Sequence, residues 1–251
     1  MPPKPPDNVV KFRRPGGSSF PLPRFLPPWL FRSVTGWLIV ANVAIWLGMV
    51  VVTLGGGILT PFPGGLTLAL GEMVPELVLT QPWRLVCAMF LHANLMHIGF
   101  NMLFLWYFGL RLEDALGKGR YLALYLLAGL GGEIGSYAWH FFSPGNSVGA
   151  SGAILGVMGG LAGLTWQGLG RNHPVTKMYL QYALVGFAIG IVENLLGVAA
   201  LDNAAHIAGW LCGLGLGHLF AGKKAWPPAT TRAVLAASAL GVVACFAASI
   251  V

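Results

Sequence analysis

Stretches of about 20 apolar residues recur along this chain, and their length matches the hydrocarbon thickness that a transmembrane helix must cross. Charged residues make up 9% of the chain and hydrophobic residues 56%. Soluble domains have about 25% charged and about 45–50% apolar residues. Because lipid offers no hydrogen bonds, a spanning segment must satisfy its own backbone, which an open sheet cannot do. The sequence therefore predicts an all-α, polytopic membrane protein.

Seven stretches are predicted to be transmembrane helices, namely 34–54, 90–110, 119–142, 150–168, 175–196, 204–221 and 232–250. They divide the chain into three parts. Residues 1–33 form a basic, proline-rich tail that we expect to be disordered and cytoplasmic, and its prolines distinguish it from a signal peptide. Residues 34–222 hold six helices, and residues 223–251 hold a linker and the seventh helix.

The basic residues indicate the orientation. Fourteen of the fifteen Lys and Arg residues precede the first predicted helix or follow the second, fourth and sixth, and only Arg84 falls on the other side. By the positive-inside rule, the N-terminus is predicted to be cytoplasmic and the C-terminus outside. The net charge of +7 is therefore interpreted as a topology signal, and no nucleic-acid partner is predicted.

Two short segments carry polar residues into the start of apolar stretches: Gly149-Ala150-Ser151-Gly152 and Ala205-His206-Ile207-Ala208-Gly209. A serine and a histidine in hydrocarbon are costly unless they have partners or a function. Each can be the partner of the other. We therefore predict a serine nucleophile, Ser151, with His206 as its general base.

Helix geometry places further polar residues at a similar height. In the predicted topology the second, fourth and sixth helices all run from outside to inside. At about 1.5 Å per residue, His97 and Asn101 fall about 21 and 15 Å above the cytoplasmic end, and Ser151 and His206 about 24 and 25 Å. Side chains from three helices can therefore meet in the outer half of the bilayer.

Donors for a developing oxyanion are available at the same height. Ser151 is predicted to begin its helix, where backbone N–H groups are free and the helix dipole favours negative charge. His97 and Asn101 add two side-chain donors. Asp202 is expected in the outer loop, and no other acid is placed to orient His206, so we predict a dyad and not a triad.

Glycine rows with a spacing of four occur in two of the predicted helices: Gly152, Gly156 and Gly160 in the fourth, and Gly209, Gly213 and Gly217 in the sixth. Such rows let helix backbones approach closely, and either row alone is also typical of general helix packing. Because the rows begin beside Ser151 and His206, we favour the interpretation that these two helices are neighbours.

The connection at 55–89 is rich in Gly and Pro at first and apolar later, so we expect it to lie partly in the outer interface with Trp83 as an anchor. The three cysteines, Cys87, Cys212 and Cys245, are single and widely spaced. They support neither a disulfide framework nor a zinc site.

The chain resembles the rhomboid family of intramembrane serine proteases over nearly the whole of residues 34–222. The matching pieces are Trp83-Arg84 in the first loop, His92, His97 and Asn101 spaced as H-x4-H-x3-N, Glu113 in the basic second loop, Gly149-x-Ser151-Gly152, and Ala205-His206-x-x-Gly209-x-x-x-Gly213. The ordered set is far more specific than its GxSG part alone.

The resemblance implies Ser151 as nucleophile, His206 as base, and His97, Asn101 and the Ser151 amide as the oxyanion hole. It implies a six-helix core, with the seventh helix as a C-terminal addition found in some members. It implies cleavage of single-span membrane protein substrates within the lipid bilayer, without metal or cofactor, and a bacterial inner-membrane location. The remaining matched residues, His92, Trp83, Arg84, Glu113, Gly149, Gly152, Gly209 and Gly213, are expected to support the site structurally.

Three points depart from this interpretation or compete with it. Some family members carry a tyrosine four residues after the nucleophile, stacked on the histidine, where this chain has Leu155. The rival function is a non-catalytic rhomboid-like membrane chaperone or trafficking factor, although such relatives usually lack the serine or the histidine. Glu133, an acid inside the third predicted helix, matches no family motif, and we expect it to be protonated and hydrogen-bonded in a structural role.

Overall fold

The computed structural model describes residues 29–58, 60–63, 65–196, 201–223 and 226–250. Their regular structure is helical apart from one isolated antiparallel bridge between Met73 and Ser147. The predicted all-α class is therefore confirmed. The short helices are α1 (Trp29–Arg32), α3 (Leu66–Ala69), α4 (Pro75–Val78) and α5 (Arg84–Cys87), and a 3₁₀-helix follows at Ala88–Phe90.

The long helices in the described part of the chain are α2 (Val34–Val52), α6 (Leu95–Leu116), α7 (Lys118–His140), α8 (Ser151–Leu169), α9 (Pro174–Leu196), α10 (Asn203–Phe220) and α11 (Pro228–Ile250). By length and composition, four of the described helices can cross a membrane: α2, α8, α9 and α11. A fifth span results if α6 is joined to residues 84–90, from which it is bent by 91°. Because α7 and α10 are not among them, the count of six spans plus one stays a prediction.

The ends of α6 differ most from the prediction of 90–110. The Asn94 side chain accepts a hydrogen bond from the His97 amide at 2.9 Å, so the helix begins only at Leu95. At the other end α6 continues to Leu116, and Gly117 ends it with a φ of 77°. Glu113, expected in a loop, therefore lies in the last turns of a helix. The start of α11 also moves, to Pro228, since proline suits the first turn of a helix.

The predicted tail at 1–33 lies mostly outside the described residues, which begin at Trp29. Its last residues are helical and not disordered, because α1 packs on the start of α2. The approach depends on Gly36, where a Cβ would collide with the backbone of Leu30. The linker prediction at 223–251 includes residues 224, 225 and 251, which are also outside the described part.

The centre of the molecule is α8, with α10, α7, α9 and α6 packed around it. Val157, Leu161 and Ala162 of α8 are fully buried. Apolar side chains on the outer faces of α6, α9 and α11 are exposed instead, for example Phe104, Leu184 and Leu240. Burial of small residues inside and exposure of large apolar ones outside fits an integral membrane protein, whose outer surface contacts lipid.

The glycine rows of α8 and α10 face each other directly. A Cβ at Gly213 would collide with the carbonyl of Gly156, and a Cβ at Gly217 would collide with the carbonyl of Gly160. A Cβ at Gly209 would likewise overlap the carbonyl of Gly152. The two backbones are therefore in contact with no side chain between them.

A second row on α8, which the sequence analysis did not single out, completes this contact. A Cβ at Gly159 or Gly163 would collide with the carbonyls of Trp210 and Leu214 on α10. A Cβ at Gly156 would collide mainly with the side chain of Ala128 on α7. Thus α10 packs against small residues on one side of α8, and α7 packs against small residues on the other side.

Substitution of Gly213 by alanine should lower the stability of the protein. The added methyl group overlaps the Gly156 carbonyl, and overpacking of this kind costs about 1–3 kcal/mol. Gly215 is the matched control, because a Cβ there meets nothing within 4 Å. In thermal unfolding of the detergent-solubilised protein, we expect Gly213→Ala to unfold at a lower temperature than the wild type and Gly215→Ala to unfold at the same or a higher one. Equal unfolding temperatures for the two variants would contradict the close contact.

Candidate active site

Ser151 and His206 meet at the contact of α8 and α10. The Ser151 Oγ lies 2.7 Å from the His206 Nε2, which is hydrogen-bond distance. Ser151 is the first residue of α8, and His206 lies in the first turn of α10. His206 is buried and Ser151 is half-buried. The structure thus brings together the two residues that the sequence predicts as nucleophile and base.

The start of α10 is held by Asp202, which caps the helix. Its Oδ1 accepts a hydrogen bond from the Ala205 amide at 2.9 Å, and its backbone carbonyl accepts one from the His206 amide at 3.1 Å. Its second carboxylate oxygen, Oδ2, accepts a hydrogen bond from the hydroxyl of Ser136 on α7. Asp202 therefore lies immediately before α10 and caps the helix that carries His206, a cap that the sequence analysis did not predict.

The backbone at Gly149 makes room for two more predicted site residues. Its φ is 128°, a conformation that side chains with a Cβ rarely adopt. A Cβ there would stand 2.7 Å from the His97 Nε2 and 3.7 Å from the Asn101 Nδ2. Both side chains of α6 therefore face the segment immediately before Ser151. The Gly149 amide donates to the Ala88 carbonyl at 2.8 Å, which holds this segment in place.

Hydrogen-bond donors are free at this point. The Asn101 Nδ2 is buried and makes no hydrogen bond to any described residue. The His97 Nδ1 accepts from the Ala93 amide at 3.4 Å, so in the neutral ring the proton resides on Nε2, the atom that faces Gly149. Ala150 occupies the N-cap position of α8, and its side chain accepts no hydrogen bond from the first amides of the helix. The arrangement can stabilise negative charge next to the Ser151 hydroxyl.

His92 supports this group from behind. Its side chain is fully buried, and its ring lies edge-on to the His97 ring, with 5.0 Å between the centroids. Neither ring nitrogen of His92 has a hydrogen-bond partner among the described residues. The His92 ring thus packs against His97, and its supporting role stays a prediction.

Arg84 organises the loop between α2 and α6. Its guanidinium donates to the carbonyls of Leu68 and Glu72, at 2.8 Å each, and to the side chain of Gln81 at 2.6 Å. These bonds tie α3 and the segment before α4 to α5, and Arg84 is 6% exposed. Trp83 lines a cavity of about 710 Å³ between this loop and the end of α11.

Glu113 lies at the opposite end of α6 from the candidate site. Its carboxylate accepts hydrogen bonds from the amides of Val34 and Thr35, at 2.8 and 2.9 Å, and from the Thr35 hydroxyl at 2.8 Å. A carboxylate at the positive end of a helix is stabilising. Sixteen residues separate Glu113 from His97, which corresponds to about 24 Å along a helix. Glu113 therefore joins α2 to α6 and takes no part in the group around Ser151.

Sequence reasoning missed two serines near the candidate pair. Ser136 bonds to Asp202, and the Ser147 Oγ donates to the Glu133 Oε1 at 3.3 Å. A signal was present, because Glu133, Ser136 and His140 recur at intervals of three and four and so share one face of α7. Their partners on other segments carry no such pattern.

Comparison with known proteins gives one family. The model of the Rhomboid domain matches residues 79–223. The rhomboid protease GluP of Bacillus subtilis (strain 168) is 38% identical over 134 residues, which are 52% of this chain and 24% of that protein. The mitochondrial RHOMBOID-like protein 6 of Arabidopsis thaliana is 41% identical over 141 residues, 55% of this chain and 44% of its own. The rhomboid protease AarA of Providencia stuartii is 32% identical over 162 residues, 57% of this chain and 58% of its own. The chain thus spans about a quarter to three fifths of the length of these relatives.

Removal of the Glu113 carboxylate should destabilise the fold. Glu113→Ala leaves two amides of α2 and the Thr35 hydroxyl without their acceptor, and a buried unsatisfied group costs about 1–3 kcal/mol. The neighbouring Asp114 is exposed, so Asp114→Ala should change stability by no more than about 0.5 kcal/mol. Thermal or denaturant unfolding in detergent compares the two variants. Equal stability would show that the carboxylate is not required at the start of α2.

Proposed function

This chain belongs to the rhomboid family, and from that premise we propose that it is an intramembrane serine protease with Ser151 as nucleophile and His206 as general base. The observation that carries the proposal is the 2.7 Å contact between the Ser151 Oγ and the His206 Nε2. Its proposed substrates are single-span membrane proteins, which it cleaves in their transmembrane segments. The reaction requires neither a metal ion nor a cofactor.

The reaction divides into two steps. His206 takes the proton of the Ser151 hydroxyl while the Oγ attacks the carbonyl carbon of the scissile peptide bond. The proton then passes to the leaving amine as the C–N bond breaks, which leaves an acyl-enzyme. His206 then takes a proton from a water molecule whose oxygen attacks the ester carbonyl carbon, and it returns this proton to the Ser151 Oγ as the acyl C–O bond breaks, which releases the acid and the free serine. The contact between the His206 Nε2 and the Ser151 Oγ serves the proton transfers between these two groups.

Negative charge on the substrate carbonyl oxygen develops in both steps. The donors that favour it are the backbone N–H groups at the start of α8, the His97 Nε2–H and the Asn101 amide. The unpartnered state of the Asn101 Nδ2 supports this role, because a buried donor without a partner is costly unless it binds something during function.

The proposed site lies at one end of the helix bundle, at the first turns of α6, α8 and α10. The basic residues favour a topology with this end outside, the N-terminus in the cytoplasm and α11 as the seventh span after a six-helix core. Together with the bacterial relatives, this is the basis for proposing a bacterial inner membrane as its location.

The alternative function is a non-catalytic membrane chaperone or trafficking factor on the same scaffold. Such a protein has no need for a serine hydroxyl within hydrogen-bond distance of a buried histidine. The Ser151–His206 contact therefore favours the protease.

Loss of either member of the pair should abolish activity. We expect Ser151→Ala and His206→Ala each to lose nearly all cleavage of a panel of single-span substrates, and the double variant to lose little more, because the two groups act as a unit. A fluorophosphonate probe should label the wild type at Ser151 only. The matched controls are Ser143→Ala and His218→Ala, whose side chains lie outside the pair. Cleavage by Ser151→Ala, or cleavage that depends on added zinc, would overturn the mechanism.

Loss of an oxyanion donor should lower kcat more than it raises KM. In a dry site Asn101→Ala and His97→Ala should each reduce kcat by up to about 10²–10³-fold, since each removes one donor to the transition state. Asn42→Ala is the control for Asn101, because the Asn42 side chain is also a buried amide and its Nδ2 donates to the Leu38 carbonyl in its own helix. Full kcat in both α6 variants would show that this helix does not contribute to the chemistry.

A further inference from the structure

One face of α7 carries the polar side chains of Glu133, Ser136 and His140, and it is turned toward the two segments that bear Ser151 and His206. Glu133 is 2% exposed and Ser136 is fully buried. An acid and a hydroxyl are costly to bury among apolar helices unless they bind partners. The identity of those partners is therefore informative about what this face does.

On the nucleophile side, the partner is Ser147. Its hydroxyl donates to the Glu133 Oε1 at 3.3 Å, and its side chain is buried. The backbone of Ser147 also pairs with Met73 through hydrogen bonds of 3.0 and 3.1 Å. Two residues later Gly149 adopts its positive φ, and α8 begins two residues after that. Glu133 thus holds the segment that sets where Ser151 starts its helix.

On the base side, the partner is Asp202. The Ser136 hydroxyl donates to one oxygen of this carboxylate, while the other oxygen caps the Ala205 amide and lies 3.8 Å from the His140 Nε2. Asp202 is the N-cap of the helix whose first turn contains His206. Ser136 therefore holds the start of α10 against α7.

The backbones of α7 and α10 approach each other closely beside these side chains. A Cβ at Gly132 would stand 2.9 Å from the Ala205 carbonyl, and a Cβ at Gly135 would collide with the side chain of Ala208. The two helices are in direct contact at the level of His206, so a side chain as short as serine spans the gap. The segment that carries the nucleophile and the helix that carries the base are therefore both held by the same face of α7.

We propose that Glu133 and Ser136 are positioning residues for the reaction, acting through Ser147 and Asp202 to set the separation of Ser151 and His206. This proposal rests on the proposed protease function. Neither residue contacts the reacting atoms. A displacement of about 1 Å between catalytic groups can cost about 10²-fold in rate, so removal of either hydrogen bond affects the chemical step more than substrate binding.

The test compares variants of the 251-residue chain, with cleavage of a single-span substrate, fluorophosphonate labelling and thermal unfolding measured for each. Ser136→Ala and Glu133→Leu should lower kcat and the labelling rate by about 10–100-fold and leave KM within about twofold of the wild type. Glu133→Gln retains an oxygen for Ser147 and should recover most of the rate. If Glu133→Leu fails to fold, Ser147→Ala breaks the same hydrogen bond with a smaller change and replaces it.

The control is Thr165→Val on α8. It removes an equally buried hydroxyl whose hydrogen bonds within the described part of the chain go only to the carbonyls of Leu161 and Ala162 in its own helix, so kcat should stay within about twofold of the wild type. Unchanged kcat and labelling in Ser136→Ala and in the Glu133 or Ser147 variants would overturn the positioning role alone. The positioning role would also be overturned if Thr165→Val and the Ser136, Glu133 and Ser147 variants all lost activity in the same proportion to the decrease in their unfolding temperatures. A wild type that neither cleaves nor reacts with the probe would overturn the proposed function and this inference together.

Discussion

The close contact of α8 with α10 is the constraint on which the rest of the structure depends. Ser151 and His206 stand on different helices, and their side chains meet at 2.7 Å only because the helix backbones touch below them. Glycines on both helices permit this, since a single methyl group at Gly209 or Gly213 would collide with a facing carbonyl. In a lipid environment, where apolar surfaces gain little from mutual burial, such contact is a principal source of helix association.

Buried charged groups supply the second set of constraints, and each serves a helix end or a loop. Glu113 satisfies the first amides of α2, and Arg120 donates to the carbonyls of Phe220 and Lys223 at the end of α10. Arg84 donates hydrogen bonds to two backbone carbonyls of the loop before α6. Helix ends and loops leave backbone groups without intrahelical partners, and in an apolar interior these are the groups that a buried charge can bind. The charges therefore connect elements that hydropathy alone leaves unconnected.

Hydropathy predicted where most helices begin and end, because the boundary between apolar and polar residues coincides with the helix end. The observed ends of α2, α7, α8, α9 and α10 lie within two residues of the predictions. The start of α6 was predicted five residues too early, since apolar residues such as Phe90 and Leu91 precede the helix while the cap at Asn94 decides where helical hydrogen bonds start. The short helices α3, α4 and α5 were not predicted, because they are too short for a periodic pattern to show.

The sequence by itself determined the all-α class and the membrane-type composition, and it predicted Ser151, His206, His97 and Asn101 as site residues at similar heights, since these depend on residue type and on distance along a helix. The tertiary structure decided which faces meet. It showed Gly159 and Gly163 in the α10 contact, Asp202 as the cap of that helix, and Ser136 and Ser147 as partners of acids on other segments. The physical reason is that hydropathy and spacing specify a helix and its depth but not its rotation about its axis or its distance from each neighbour, and hydrogen bonds between helices depend on both.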